Sequence, residues 1–328
     1  MARAAAASPN RSGAPSDYPS GGVWNNISSR SQYGARCGGL RKGKRRVTTS
    51  SDTDAASPGT LFGPDSISRK VHADPAMWPA GVRALYLEAL HPRAVRGVLD
   101  NSSFRRDPIG RLTRTAKFVA VATFAPAQVA EQAARRVRRI HRALSAADPQ
   151  TGEIFPLDDP ALLLWIHCAS TSSYIEVVRR SGLRLSPAQS DRYVDEQRAT
   201  AALVGLEPDT VPGSMAELDD YFAEQRPLLR AGDDAQEIYR FLTDPPMPPG
   251  LRRLTAPLGP MGTPLYGVAS RQVWSRMSRV AYSALPDWAV ELYGHRAYSA
   301  ASTTRSLRSL RTAGRMVPRS LIGRVVGL

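Results

Sequence analysis

Five histidines are the side chains best suited to chemistry in this chain: His72, His91, His141, His167 and His295. Each carries a nitrogen lone pair that can bind a metal or take a proton near neutral pH. No GxGxxG motif follows a strand pattern, and the sequence has no P-loop, GxSxG elbow, HExxH or CxxC. Most nucleotide, hydrolase and zinc chemistries therefore lack their motif. A di-metal carboxylate site needs Glu-x-x-His on each of two helices, and the chain has no such pair of motifs.

His141 lies in AEQAARRVRRIHRAL, where Ala134, Val137 and His141 fall at i, i+3 and i+7 and share one helix face. That face is expected to point inward. A neutral imidazole there suits axial ligation of haem iron, with its second ring nitrogen donating to a carbonyl or carboxylate. A hydrogen-bonded core histidine fits the same pattern. Upstream, DPIGRLTRTAKFVAVATF sets Arg111, Arg114 and Thr115 on one surface, above an apolar continuation through Phe118 and Phe124. These donors beside an apolar space suit either bound oxygen or porphyrin propionates; the competing reading is a first helical turn with solvated arginines. His167, in ALLLWIHCASTSSY, sits in too apolar a setting for an exposed helix and reads as a second-shell group or pocket wall. His91 precedes Pro92 and reads as a helix-end residue that caps carbonyls or lines a cavity. His72 and His295 have weak local context.

The elements that must position these groups are helices. From Leu61 onward apolar residues recur at helical spacing, with little strand-like alternation. The spacing predicts helices at about 76–90, 108–123, 126–145, 159–181, 187–205, 215–229, 234–243, 266–283 and 286–298. Asp158 and Asp159 before Pro160, Ser186 before Pro187, and Ser214 three residues ahead of Glu217 are helix-start signals. The run from Thr243 to Pro260, with DPPMPPG, cannot be one helix and reads as a connector or lid. The expected class is all-α: one multi-helix domain over residues 59–300, a disordered basic tail over 1–58, and a basic, frayed tail over 301–328.

The formal net charge of +15 favours anionic partners. Nucleic acid is not expected, because no binding motif or basic-aromatic alternation accompanies the charge. Contact of the two basic tails with an anionic membrane is left open. Cys37 and Cys168 cannot build a disulfide framework and read as free thiols. The start MARAAAASPN lacks the apolar run of a secretory signal, which points to a cytoplasmic protein.

Five ordered segments carry a family resemblance: LFGPDSISRKVHADPAMWPAGVRALYLEALHP, FRRDPIGRLTRT, ARRVRRIHRAL, LLLWIHCASTSSY and LPDWAVELYG. Together, over about residues 61–298, they resemble the catalytic domain shared by latex-clearing protein, the bacterial rubber oxygenase, and fungal MpaB oxygenases. The resemblance implies a globin-like helical domain that binds haem b, with His141 as the iron ligand. The distal Arg-x-x-Lys-Thr cluster of the rubber enzymes corresponds to Arg111, Arg114 and Thr115, with Arg114 in place of lysine. Arginine is a fixed fork of donors and cannot accept a proton, so a base role at that position is in question. His167 and His91 are further candidates for contact with the haem. The implied reaction is dioxygen-dependent attack on a carbon–carbon double bond in an apolar, isoprenoid or lipid-like substrate. Peroxidase or hydroxylase chemistry is its nearest variant. Two other classes remain: a non-catalytic helical protein that holds haem or an apolar ligand, and a basic membrane-surface adaptor.

Overall fold

The computed structural model describes residues 59–102, 108–244 and 259–316; for 108–109 and 259–270 it describes the backbone alone. The expected tail over residues 1–58, with Cys37 in it, the centre of the proline-rich connector and the last twelve residues lie outside the described residues.

Twelve α-helices are present among the described residues, so the all-α expectation is met. In chain order they are α1 (Ile67–His72), α2 (Met77–Glu88), α3 (Pro92–Asn101), α4 (Pro108–Phe124), α5 (Ala127–Arg142) and α6 (Pro160–Arg180). They continue with α7 (Pro187–Val204), α8 (Met215–Gln225), α9 (Asp233–Thr243), α10 (Gly259–Tyr282), α11 (Asp287–Tyr293) and α12 (Ala300–Arg315). The described sheet is one short antiparallel hairpin, β1 (Ser145–Ala147) with β2 (Ile154–Pro156), in which Ala146 faces Phe155.

Local chemistry sets the helix starts. The Asp159 carboxylate accepts from the Ala161 N–H at 2.8 Å ahead of α6, with Pro160 in the first turn, where its missing donor costs nothing. Ser186 and Gln189 form a reciprocal capping box on α7. At α8 the Ser214 hydroxyl accepts from the Glu217 N–H, but the Glu217 carboxylate takes the N–H of Gly213 rather than that of Ser214, so the expected box is only half made. Gly205 closes α7 at φ 102°, a left-handed conformation in which a side chain would be strained.

The core is built around α6, which packs along α2 more extensively than along any other element. Ten residues of α6 are buried, among them Trp165, Cys168, Tyr174 and Ile175. By length and composition α6 could also cross a membrane, but this inward packing is what a core helix shows. A cluster of Tyr86, Tyr239, Tyr282 and Tyr293 joins α2, α9, α10 and α11, with the Tyr293 hydroxyl donating to the Tyr86 carbonyl at 2.7 Å. The hydroxyls of Tyr86, Tyr282 and Tyr293 find partners inside, as buried phenols must.

The segment from residue 301 departs from the expected frayed tail, because its first half is helical. In α12, Thr303, Leu307 and Arg311 are buried. Arg311 donates through Nε at 2.7 Å and Nη2 at 2.6 Å to Asp74 Oδ2, with both side chains almost wholly covered. Helix α12 comes so close to the start of α2 that a Cβ on Gly314 would stand 2.6 Å from Pro75. The arginine density that reads as a solvated tail conceals one guanidinium with a buried partner distant in sequence.

Replacing Arg311 with Met leaves the Asp74 charge buried without its partner. The expected loss of stability is about 3–5 kcal/mol, measured by urea unfolding. Replacement of the exposed Arg308 is expected to cost less than about 0.5 kcal/mol.

Candidate functional site

Helix α5 can sit close to its neighbours because its inward face is small. Ala130 and Ala134 are buried and cluster with Ala122 of α4 and Leu203 of α7. Each face-to-face alanine brings the backbones together, and the same face ends at His141 in the last turn of α5.

The His141 ring is half-buried, and its Nδ1 is buried without a hydrogen-bond partner among the described residues. The carbonyl or carboxylate expected to fix its second nitrogen is thus not found there. Burial lowers the His141 pKa below the ordinary histidine value; the Arg111 charge lowers it further, and Asp158 opposes them. The imidazole is therefore mainly neutral at pH 7 and keeps a lone pair. An unpaired buried nitrogen costs about 1–3 kcal/mol.

Arg111 is the distal candidate tied most closely to His141. It is half-buried and donates through Nη1 to the Ser102 hydroxyl at 2.8 Å, while Ser102 donates to the Val98 carbonyl at 2.6 Å. The end of α3 thereby holds a guanidinium that projects from α4. Burial lowers the Arg111 pKa, the Glu88 charge opposes this, and the neighbouring Arg114 adds to it. Thr115 is exposed, and its hydroxyl donates to the Arg111 carbonyl at 3.3 Å. The three residues expected to act together are thus unequal: the Arg111 charge acts on the histidine, Arg114 acts on Arg111, and the Thr115 hydroxyl donates to the backbone.

Sequence reasoning did not single out Glu88, at the end of α2. It accepts from the Ser170 hydroxyl of α6 at 2.9 Å. Burial raises its pKa against the pull of Ser170 and Arg111. A cavity of about 20 Å³ lies beside it, its other walls apolar: Leu85, Ala89, Ala94, Val95, Ile166 and Ile238 among them. That cavity holds one water-sized molecule and is far too small for a porphyrin. Electrostatic and hydrogen-bond links therefore run from Ser170 to Glu88 to Arg111 to His141, on four different helices.

His167 lies one turn before Ser170 on the same side of α6. Burial pushes its pKa down to about 4, so it is neutral at pH 7. Although α6 runs through the core, Leu163, Ile166, His167 and Ser170 form a flank that is only half-covered, as are Phe118, Val119 and Val121 on α4. His91 instead starts α3: its Nδ1 accepts from the Ala94 N–H at 3.4 Å, and its ring lies 6.0 Å from that of Trp165. It caps an N–H, not a carbonyl. His72 is fixed between Thr123 and Tyr193 at 2.7 and 3.1 Å, and His295 stacks on Tyr239 at 3.9 Å, so both are structural.

The donor set bears on which metal chemistry the residues suit. Among the described residues no three His, Cys, Asp or Glu groups converge as a metal cage. A single neutral imidazole is instead what a macrocycle-bound iron requires of the protein. The model of the family described as ER-bound oxygenase mpaB/B'/Rubber oxygenase, catalytic domain, matches residues 69–319. The chain belongs to this family. It is accordingly an oxygenase catalytic domain, acting on a small molecule with dioxygen. The match takes in α12, in keeping with the packed position of that helix. No curated protein and no solved structure matches the chain.

Because the folded-state pKa of His167 lies below its unfolded value of 6.5, the unfolded chain binds more protons between those two pH values. Stability is therefore complete above pH 6.5 and falls as the pH drops towards 4. Urea midpoints of the wild type should decline across that window, and His167→Gln should flatten part of the decline. An unchanged slope in the variant would place His167 in a solvated setting.

Proposed function

We propose that this oxygenase works with haem b, and that it oxidises or cleaves a carbon–carbon double bond in an apolar, isoprenoid or lipid-like substrate in the cytoplasm. The observation that supports the haem most strongly is the neutral, half-buried imidazole of His141 with an unpaired nitrogen. Such a neutral imidazole has the lone pair with which it would hold a haem iron.

His141 would hold the iron, and haem would supply the centre at which dioxygen is bound and activated. The chain's own groups do the rest. Arg111 brings a positive charge fixed by Ser102, so it can stabilise negative charge that develops on oxygen without first reorganising. Arg114, beside it, adds donors but cannot accept a proton. Glu88, whose pKa burial raises, is linked to Arg111 and would be the carboxyl group that takes up a proton, with the Ser170 hydroxyl donating to it and orienting it. The half-covered apolar side chains of α4 and α6, with His167 among them, suit a substrate that brings no polar groups needing partners. They also keep water from the reacting atoms.

Reconstitution of the purified protein with haem should give a Soret band. His141→Ala should lose it, while His91→Ala and His167→Ala should keep it. Retention by His141→Ala would move the ligand elsewhere and detach Arg111 from the chemistry. With haem bound, Arg111→Leu should leave the band in place and lower the rate of oxygen uptake with an alkene about 10²–10³-fold.

A further inference from the structure

Opposite His141, the same helix α5 carries Arg135, Arg136, Arg139 and Arg142, all exposed. At the rise of an α-helix they span about 10 Å of one surface. Arg135 makes a long contact of 3.4 Å to Glu131, and Arg142 one of 3.9 Å to Asp158; such exposed pairs hold little energy. Arg136 and Arg139 have no carboxylate partner among the described residues. The outer side of α5 thus concentrates positive charge beyond what the fold uses.

We propose that this arginine stripe is the docking surface for an acidic one-electron carrier protein that reduces the haem held by His141. The proposal rests on the haem reading above. An electron arriving on the outer face of α5 needs to pass only the thickness of the helix to reach the imidazole on its inner face. One electron leaves the reduced carrier and converts ferric to ferrous haem iron; no bond is made or broken and no proton moves. Charge complementarity would speed encounter and orient the carrier, as suits a small and transient interface. The stripe is a poor membrane anchor, because its exposed neighbours on α5 are Gln128, Gln132 and Ala143, with Val129 the one exposed apolar side chain of size. It also lacks the aromatic platforms of a nucleic-acid groove.

The probe is a plant-type [2Fe–2S] ferredoxin, a small acidic carrier. Its oxidised form is titrated against the full chain at low and high salt, and its reduced form is mixed with the haem-loaded protein in a stopped-flow instrument. Arg136→Glu with Arg139→Glu should weaken binding and slow haem reduction at least tenfold at low salt. The Soret band and reduction by dithionite should not change. Arg305→Glu with Arg308→Glu, an equal charge reversal on exposed residues of α12, should alter both readings less than twofold. Equal losses in the two variants would show a response to bulk charge, and no loss in the α5 variant would remove the site; either result overturns the proposal. So would an α5 variant that keeps ferredoxin binding but no longer binds phosphatidylserine vesicles. A missing Soret band in the wild type would count against the haem alone, because the ferredoxin titration still reads the surface.

Discussion

The candidate site depends on an imidazole held neutral and, among the described residues, left incompletely bonded. His141 sits where burial and the Arg111 charge both disfavour its protonation, and among the described residues its Nδ1 has no partner to repay the loss of water. Proteins satisfy nearly all buried polar atoms, so an exception at the end of a well-packed helix calls for a ligand to complete it. The alanines that let α5 approach α4 and α7, and the Ser102 contact that steadies Arg111, all serve the placement of that ring. Glu88, at the end of α2, extends the network to the central helix through Ser170.

The surrounding bundle supplies rigidity. Helix α2 lies along α6 and carries the tyrosine cluster on one side and Glu88 at its end, so packing and chemistry share one element. Helix α12 closes the far side through Asp74 and Arg311, a buried pair that rewards specificity of docking more than raw stability. Family membership gives this architecture its activity class, and the donor set of one histidine, one fixed arginine and a carboxyl group whose pKa burial raises is consistent with oxygen chemistry on a small molecule.

Much of this was legible in the sequence, and what escaped did so for physical reasons. The long helices announce themselves by period, and α4 to α7 begin and end within a few residues of their expected bounds. Helix α1 has six residues, fewer than two turns, and offers no period to read. Helix α3 was hidden because Pro92 reads as a stop after His91, whereas it occupies the first turn of a new helix. His141 and Arg111 were singled out from their helix faces, and the fold brings the Arg111 charge to bear on His141. Glu88 was missed because a single Glu in LEALHP gains its meaning from Ser170 and Arg111, which only the tertiary fold brings near. The fate of Arg311 likewise depends on Asp74, far away in the chain.

Equilibrium unfolding of the protein with and without one equivalent of haem tests the central claim most directly, because a ligand that completes the His141 site must stabilise the folded chain by mass action. The account predicts a clear rise in the urea midpoint with haem and none with zinc or free iron. A midpoint that does not move with haem, or that rises equally with a bare metal ion, would contradict it.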